Sequence, residues 1–285
     1  MSRIAIVTDS TAYIPESEMS GLPIFTIPLH VIWGEDSYRD NVDITPYEFY
    51  QKLPDSKIMP STSQPSPQEF IEVYKKVLQD YDEILSIHIS SKLSGTVDSA
   101  LQAKQSLSNE KIEVVDSLTT SMGLGLLVLL AARAAKNGSS LHECKNIAEG
   151  AKERVHVYFI VTTLEYLKRG GRIGGASAFL GTAINLKPIL MLKDGIVEAH
   201  TKIRTLKKAL HHLVEIFVEK TQGKTPVHIA IIHSGADEDA KLLKEEIYNH
   251  ISQSEIAECM IAGISPVLGT HAGPGAIGVC FLTDK

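Results

Sequence analysis

The sequence predicts an α/β fold of two domains. The N-terminal domain is expected to hold a parallel sheet and the C-terminal α/β domain a mixed or antiparallel one. Three short apolar runs in the first half, Ile4–Val7, Ile84–Ile87 and Ile112–Val115, alternate with segments of helical period. This alternation is typical of strands joined by helical crossovers. The 285 residues are 44% hydrophobic, which is enough to bury a sizeable core.

Four helices are expected to accompany these strands, and the last but one is stopped by Gly138. They are predicted at Pro67 to about Tyr81, Ser94–Leu107, Ser121–Asn137 and Leu141–Val155. The sequence pattern of the segment at about residues 22–60 differs from that of the strands and helices around it, and the segment contains the turn-like Gly34-Glu35-Asp36. We interpret it as a small β excursion inserted into the first domain.

The domain boundary is placed near residue 158, which gives domains of residues 1–158 and 159–285. After it, the glycine-rich stretch from Gly170 to Gly175 is interpreted as a flexible junction. Asp194-Gly195 favours positive φ angles and predicts a hairpin. Further strands and amphipathic helices are predicted at Val227–Ile232, Gly278–Leu282, Leu206–Phe217 and Ala240–Ile251.

Composition and charge argue against several classes of protein. The formal net charge of -6 gives no electrostatic footprint for nucleic acid. Three scattered cysteines, with no C-x-x-C pair, favour a reducing cytoplasm over a disulfide framework. The apolar stretch Leu124–Ala132 is too short to span a bilayer, so it predicts a buried helix. We expect no zinc site and no cofactor, and monomer is the default state.

Polar side chains follow two predicted strands, at Asp9 and Asp116. The carboxyl ends of strands in open α/β sheets are where ligands collect. Asp9 is therefore a candidate phosphoryl acceptor or magnesium ligand. The favoured alternative is that both aspartates cap turns or helices.

Two hydroxyl-rich loops lead into predicted helices. Ser66 before Pro67 has the pattern of a helix cap, whereas Thr62 and Ser63 are free to turn toward a ligand. Ser94 lies at the start of the next helix, where it is either a cap or part of an anion site. His271 begins the turn His271-Ala272-Gly273-Pro274-Gly275, and a loop histidine of this kind is more often incidental than functional.

Taken together, these motifs resemble the DegV family of bacterial proteins. The resemblance rests on seven motifs in the same order across nearly the whole chain. They are Thr8-Asp9-Ser10, Thr62-Ser63-Gln64-Pro65, Leu93-Ser94-Gly95-Thr96, Asp116-Ser117, Gly170-Gly171-Arg172-Ile173, Lys187-Pro188-Ile189-Leu190 with Asp194-Gly195, and His271-Ala272-Gly273-Pro274-Gly275.

The resemblance implies a protein that binds a long-chain fatty acid and presents its carboxylate to a separate ATP-dependent fatty acid kinase subunit for phospholipid synthesis. It also implies that Thr62, Ser94 and Gly95 bind the carboxylate with His271 close by, and that Arg204 lies where the kinase docks. The head group is expected to be held without a buried Arg or Lys. Two alternatives stay open: a regulatory protein that senses lipid, and a phosphotransferase that uses Asp9.

Overall fold

The computed structural model describes residues 2–108, 111–181 and 186–284, and its first sheet is parallel throughout. The order β2-β1-β6-β7 places β1 in the interior. The strands are β1 (Ile4–Asp9), β2 (Ile24–Ile27), β6 (Glu83–His88) and β7 (Ile112–Asp116). The associated helices are α3 (Pro67–Val77), α4 (Thr96–Leu107), α5 (Ser121–Lys136) and α6 (Leu141–Ala151). The α/β character of the first half is therefore confirmed.

A small antiparallel sheet belongs to the same half of the chain and packs against α10 (Pro266–Ala272) of the second half. It has the order β4-β3-β5 and consists of β3 (His30–Trp33), β4 (Asp36–Arg39) and β5 (Ser61–Ser63). Two short helices, α1 (Glu16–Met19) and α2 (Pro46–Lys52), lie in the same part of the chain. Strand β2 falls within the expected excursion but pairs with β1 in the larger sheet. The loop that was predicted around Thr62 is instead strand β5, which lies at an edge of the small sheet.

The second large sheet is mixed and has the order β10-β9-β8-β13-β11-β12. Only β11 and β12 pair in parallel; the other neighbours are antiparallel. The strands are β8 (Val155–Ile160), β9 (Lys187–Lys193), β10 (Ile196–Ile203), β11 (Val227–His233), β12 (Ile256–Gly263) and β13 (Ile277–Thr283), and the helices are α7 (Glu165–Arg169), α8 (Leu206–Thr221), α9 (Asp237–Tyr248) and α10 (Pro266–Ala272).

Local chemistry explains the hairpin and the end of α6. Asp194 and Gly195 have φ angles of 50° and 82°, so the predicted two-residue turn between β9 and β10 is confirmed. The prediction that a helix runs from Leu141 to Val155 is wrong at its end. The helix stops at Ala151, because the β-branched and aromatic residues that follow pair with β13 as β8.

Helix α5 joins the two large sheets. It contacts β1 and β6 on one side and β8, β11 and β13 on the other, and 11 of its 16 residues are buried. One hydrophobic cluster therefore contains residues of both sheets. The expected domain boundary at residue 158 lies inside β8, and the division of the chain at that point stays a prediction.

The glycine-rich stretch after α7 is packed closely and does not behave as a flexible junction. A Cβ on Gly174 would lie 2.2 Å from the carbonyl oxygen of Val197, and one on Gly175 would lie 1.8 Å from a carboxylate oxygen of Glu198. These glycines allow the short 3-10 helix Gly174–Phe179 to lie against β10. The interpretation as a flexible linker is therefore wrong.

Across the described ranges, none of the helices combines the length and the apolar character that crossing a membrane requires. The same ranges contain no group of three or more His, Cys, Asp or Glu side chains placed to hold a metal ion.

Candidate functional site

An apolar cavity lies between the two large sheets, and three residues singled out in the sequence line one part of it. These are Thr62 on β5, Ser94 before α4 and His271 on α10. The empty space is about 820 Å³, including the part open to solvent. Its apolar wall consists of Leu29, Ile89, Leu93, Val157, Phe159, Leu167, Leu192, Val197, Ile232, Ile264, Val267, Leu268 and Ala272.

Thr62 and His271 form a hydrogen-bonded pair although 209 residues separate them in the chain. Thr62 Oγ1 lies 2.9 Å from His271 Nε2. Burial, with a smaller contribution from the positive charge of Arg172, lowers the pKa of His271 to about 4. The imidazole is therefore neutral at pH 7, and it offers a hydrogen bond without a full positive charge.

Gly170 fixes the orientation of the His271 ring. A Cβ at this position would lie 2.0 Å from His271 Nδ1, so only glycine lets the end of α7 approach the ring. Nδ1 itself is buried and has no hydrogen-bond partner among the described residues. The Gly-Gly-Arg motif thus has a structural role that its spacing in the sequence does not reveal.

Ser94 does not cap the helix that follows it. The N-cap of α4 is Gly95, and no side chain accepts a hydrogen bond from the first turn. The Ser94 hydroxyl instead lies 2.8 Å from Thr96 Oγ1. The capping alternative for Ser94 is therefore wrong, and the helix N-terminus beside the cavity keeps donors that favour an anion.

Gly95 lies against the side chain of Gln64 at the same end of the cavity. A Cβ on Gly95 would meet the Gln64 side chain at 2.9 Å, and Gln64 lines the cavity beside Thr62 and Ser63. The glycine at residue 95 thus lets the Gln64 side chain pack closely against the start of α4.

Arg172 is a cavity residue that sequence reasoning did not single out. Its Nε donates to the carbonyl oxygen of Leu93 at 3.0 Å, and Nη1 donates to that of Gly170 at 2.6 Å. The side chain lines the cavity but is exposed overall. A guanidinium therefore lies at the polar end although it is not buried. The motif around Arg172 was visible in the sequence, but its contact with Leu93 was not.

A second opening reaches the same polar end from the protein surface. It shares Thr62, Arg172 and His271 with the apolar cavity and adds Arg169. Its other wall residues are Met59, Pro60, Ser61, Tyr166, Gly170 and Thr270. A group held between Thr62 and His271 would thus be approachable from outside while an attached apolar chain stays buried.

Asp9 is fully engaged in a buried hydrogen-bond network. Its Oδ1 accepts from Thr11 N at 3.1 Å and Thr11 Oγ1 at 2.5 Å, while Oδ2 accepts from Ile89 N at 2.9 Å and lies 3.0 Å from His88 Nδ1. His88 Nε2 is 2.6 Å from Ser86 Oγ, which in turn accepts from the Tyr74 hydroxyl. Asp9, Ser86 and His88 have no exposed surface. This arrangement of Asp, His and Ser is closed to any substrate.

The capping interpretations of two other residues are confirmed. The Asp116 carboxylate accepts hydrogen bonds from Ser91 N, Ser91 Oγ and Leu118 N. Ser66 caps α3 in a reciprocal pair with Glu69. Neither residue lines the apolar cavity. Asp116 does, however, hold the loop that carries Ser94.

Arg204 lies outside the cavity, immediately after β10. Its side chain is exposed and forms no hydrogen bond or ion pair with another residue of the part that the structure describes. The structure therefore brings together Thr62, Ser94 and His271 and leaves Arg204 on the surface.

Comparison with known proteins agrees with this architecture. A family model described as "Uncharacterised protein, DegV family" matches residues 3–284. The chain belongs to the DegV family. It is 36% identical to Protein DegV of Bacillus subtilis (strain 168), over 98% of each protein. It is also 38% identical to a DegV domain-containing protein of Deinococcus radiodurans, again over 98% of each.

Solved structures of other DegV proteins superpose closely on the chain. A DegV family protein from Thermus thermophilus, described for its fatty acid binding, has a TM-score of 0.93 and 40% identity, with 99% of each chain covered. DegV from Bacillus subtilis, described as a fatty acid binding protein, has a TM-score of 0.88 and 35% identity, with 100% of each chain covered.

Proposed function

We propose that the chain binds a long-chain fatty acid in the apolar cavity and presents its carboxylate to a separate ATP-dependent kinase subunit, which forms acyl phosphate. The observation that carries the proposal is the cavity between the sheets, apolar along most of its wall and polar where Thr62, Ser94 and His271 meet. DegV proteins of the same fold that bind fatty acids support it.

The apolar wall accounts for most of the expected affinity. Burying a methylene contributes about 0.8 kcal/mol, so roughly 14 methylenes contribute on the order of 11 kcal/mol before association costs are subtracted. A hydrogen bond to a charged group contributes only about 1.5 to 3 kcal/mol. The tail therefore supplies affinity, and the polar end fixes the position and orientation of the carboxylate.

The polar end suits an anion that must stay reactive. Hydroxyls of Thr62 and Ser94, the N–H groups that begin α4 and the neutral His271 offer hydrogen bonds with no buried positive charge. Arg172 adds a guanidinium on the solvent side. In this arrangement the carboxylate keeps more of its negative charge than in a buried ion pair, which favours nucleophilic attack on a phosphoryl group.

A separate kinase subunit is proposed for the phosphoryl transfer step because the sequence lacks a recognisable phosphate-binding motif. Phosphoryl transfer requires a phosphate cradle and bound magnesium, and the sequence contains no G-x-x-x-x-G-K-[ST] motif. The exposed Arg204 supplies a charged point for docking. We propose that the chain presents fatty acid to the kinase in the cytoplasm, because all three cysteines are free thiols.

The test has a binding arm and a transfer arm. Protein purified without added lipid should carry one long-chain fatty acid by native mass spectrometry. With ATP, it should form acyl phosphate only after the kinase subunit is added. Arg204→Ala should lower acyl phosphate formation and leave fatty acid binding unchanged. The matched control is Arg3→Ala, because Arg3 is also exposed but precedes β1 of the parallel sheet, whereas Arg204 follows β10 of the mixed sheet.

Each contrary result points to a different conclusion. Protein that neither carries nor takes up palmitate or oleate would overturn fatty acid binding. Acyl phosphate formed equally with and without the kinase would make the chain an enzyme in its own right. Lipid binding that persists with no acyl phosphate under any condition would favour a regulatory lipid sensor.

A further inference from the structure

Two unpaired hydroxyl groups occur on residues of the otherwise apolar cavity wall. Thr120 and Ser121 both line the cavity, and their hydroxyl oxygens are buried without a hydrogen-bond partner in the described part of the chain. Ser121 as a residue is only 3% exposed. Other wall residues at this depth, such as Val157 and Ile232, are aliphatic.

Neither hydroxyl stabilises the N-terminus of α5 by a capping hydrogen bond. Thr120 is the N-cap of α5, but its side chain accepts no capping hydrogen bond. Ser121 has a φ angle of 53°, a left-handed conformation that is uncommon for a serine. The backbone groups of Met122 and Gly123 are directed to the Cys280 thiol. Helix capping therefore does not explain why either residue carries a hydroxyl.

The unpaired groups are concentrated at the cavity. The described residues contain five buried side-chain polar atoms without a partner, and three of them belong to the cavity-lining residues Thr120, Ser121 and His271. A buried unpaired polar group is unfavourable and calls for an explanation. For His271 the proposed carboxylate is the explanation, whereas Thr120 and Ser121 take no part in the hydrogen bonds that Thr62 and Ser94 form.

We propose that Thr120 and Ser121 recognise an oxygen substituent within the acyl chain, so that the preferred ligand is a hydroxylated long-chain fatty acid. This inference rests on the proposed fatty acid site and names its ligand more closely. A hydroxyl both donates and accepts, so one substituent can pair with both side chains. An unsubstituted methylene chain leaves both of them unpaired.

The experiment compares stearate with a positional series of monohydroxystearates, from the 6- to the 14-hydroxy acid, in competition binding to lipid-free protein. We expect one narrow window of positions to bind on the order of tenfold more tightly than stearate. In the double variant Thr120→Val with Ser121→Ala, the ratio of the two dissociation constants should fall to about one. The single variants serve in its place if thermal unfolding shows that the double variant is not folded.

Thr119→Val is the matched control. Thr119 carries a buried, unpaired hydroxyl in the same segment but does not line the cavity, so its removal should leave the preference intact. If stearate binds and no hydroxystearate binds more tightly, the inference is wrong while the fatty acid site stands. A preference that survives in the double variant also refutes it. Failure of stearate itself to bind refutes the proposed function instead.

Discussion

Replacing Gly170 by alanine tests the polar end of the cavity without replacing any side chain that would contact the ligand. The φ angle of Gly170 is −73°, so the backbone accepts alanine without strain. The new Cβ would lie 2.0 Å from His271 Nδ1 and 2.7 Å from Cε1. Ordinary contact begins at about 3.4 Å, so the ring must withdraw by roughly 1.4 Å (3.4 − 2.0) or α7 must shift.

Either movement disrupts the hydrogen bond between Thr62 and His271, which is 2.9 Å long. Loss of one hydrogen bond to the carboxylate corresponds to about 1.5 to 3 kcal/mol, or roughly a ten- to hundredfold weaker affinity for palmitate. Overpacking of the site should also lower the free energy of unfolding by about 1 to 3 kcal/mol.

The measurements are palmitate titration and urea denaturation of lipid-free protein. Gly150→Ala is the control, because Gly150 lies within α6 and a Cβ there would meet nothing within 4 Å. That variant should keep the parent affinity and gain about 0.5 to 1 kcal/mol of stability. If Gly170→Ala bound palmitate as the parent does, His271 would have no part in holding the head group.

Three further outcomes are expected. Ser94→Ala and Thr62→Ala should both weaken retention of bound fatty acid. The free energy of unfolding should fall by less than about 1 kcal/mol in Ser94→Ala, whose hydroxyl caps no helix, and by about 1 to 3 kcal/mol in Thr62→Ala, which leaves His271 Nε2 without its partner; unchanged lipid retention in both would contradict the head-group site. Because burial lowers the pKa of His271 to about 4 from 6.5, the unfolded chain takes up a proton first as pH falls. The stability of the lipid-free protein should therefore drop by up to about 3 kcal/mol between pH 6.5 and 4, and urea midpoints should show a shallower drop in His271→Gln. Asp9→Ala should destabilise the fold by about 3 to 5 kcal/mol because it leaves His88 without its buried partner; a stable variant that lost only a phosphotransfer activity would restore Asp9 as a catalytic candidate.

Local patterns in the sequence predicted the elements whose chemistry is local. Asp194-Gly195 specifies its own turn, and Ser66 and Asp116 form the caps that their positions suggest. Strand β12 was not predicted, because it is a half-buried strand at the edge of its sheet and carries Glu258 for an ion pair with Arg133. Such a strand lacks the continuous apolar run of an interior one.

The polar end of the cavity was predictable only through resemblance to a family. The pairing of Thr62 with His271 depends on how β5 meets α10, and no local pattern encodes a contact across 209 residues. Ser94 illustrates a related difficulty, since a serine before a helix looks the same whether it caps the helix or faces a ligand. Arg172 was overlooked because the glycines around it suggested mobility, whereas Gly170 and Gly174 permit close packing.

The position of α5 between the two large sheets limits how a lipid can enter. Swinging the halves apart would uncover one side of this helix, which is apolar and buried throughout: Leu124, Leu127 and Leu129, for example, have no exposed surface. At about 25 cal/mol for each Å² of apolar surface, such an opening is unfavourable in proportion to the apolar area that it uncovers. If the chain binds fatty acid as proposed, we expect the ligand to enter by local movement of the loops and short helices at the polar end, and we expect the two halves to melt in one cooperative step.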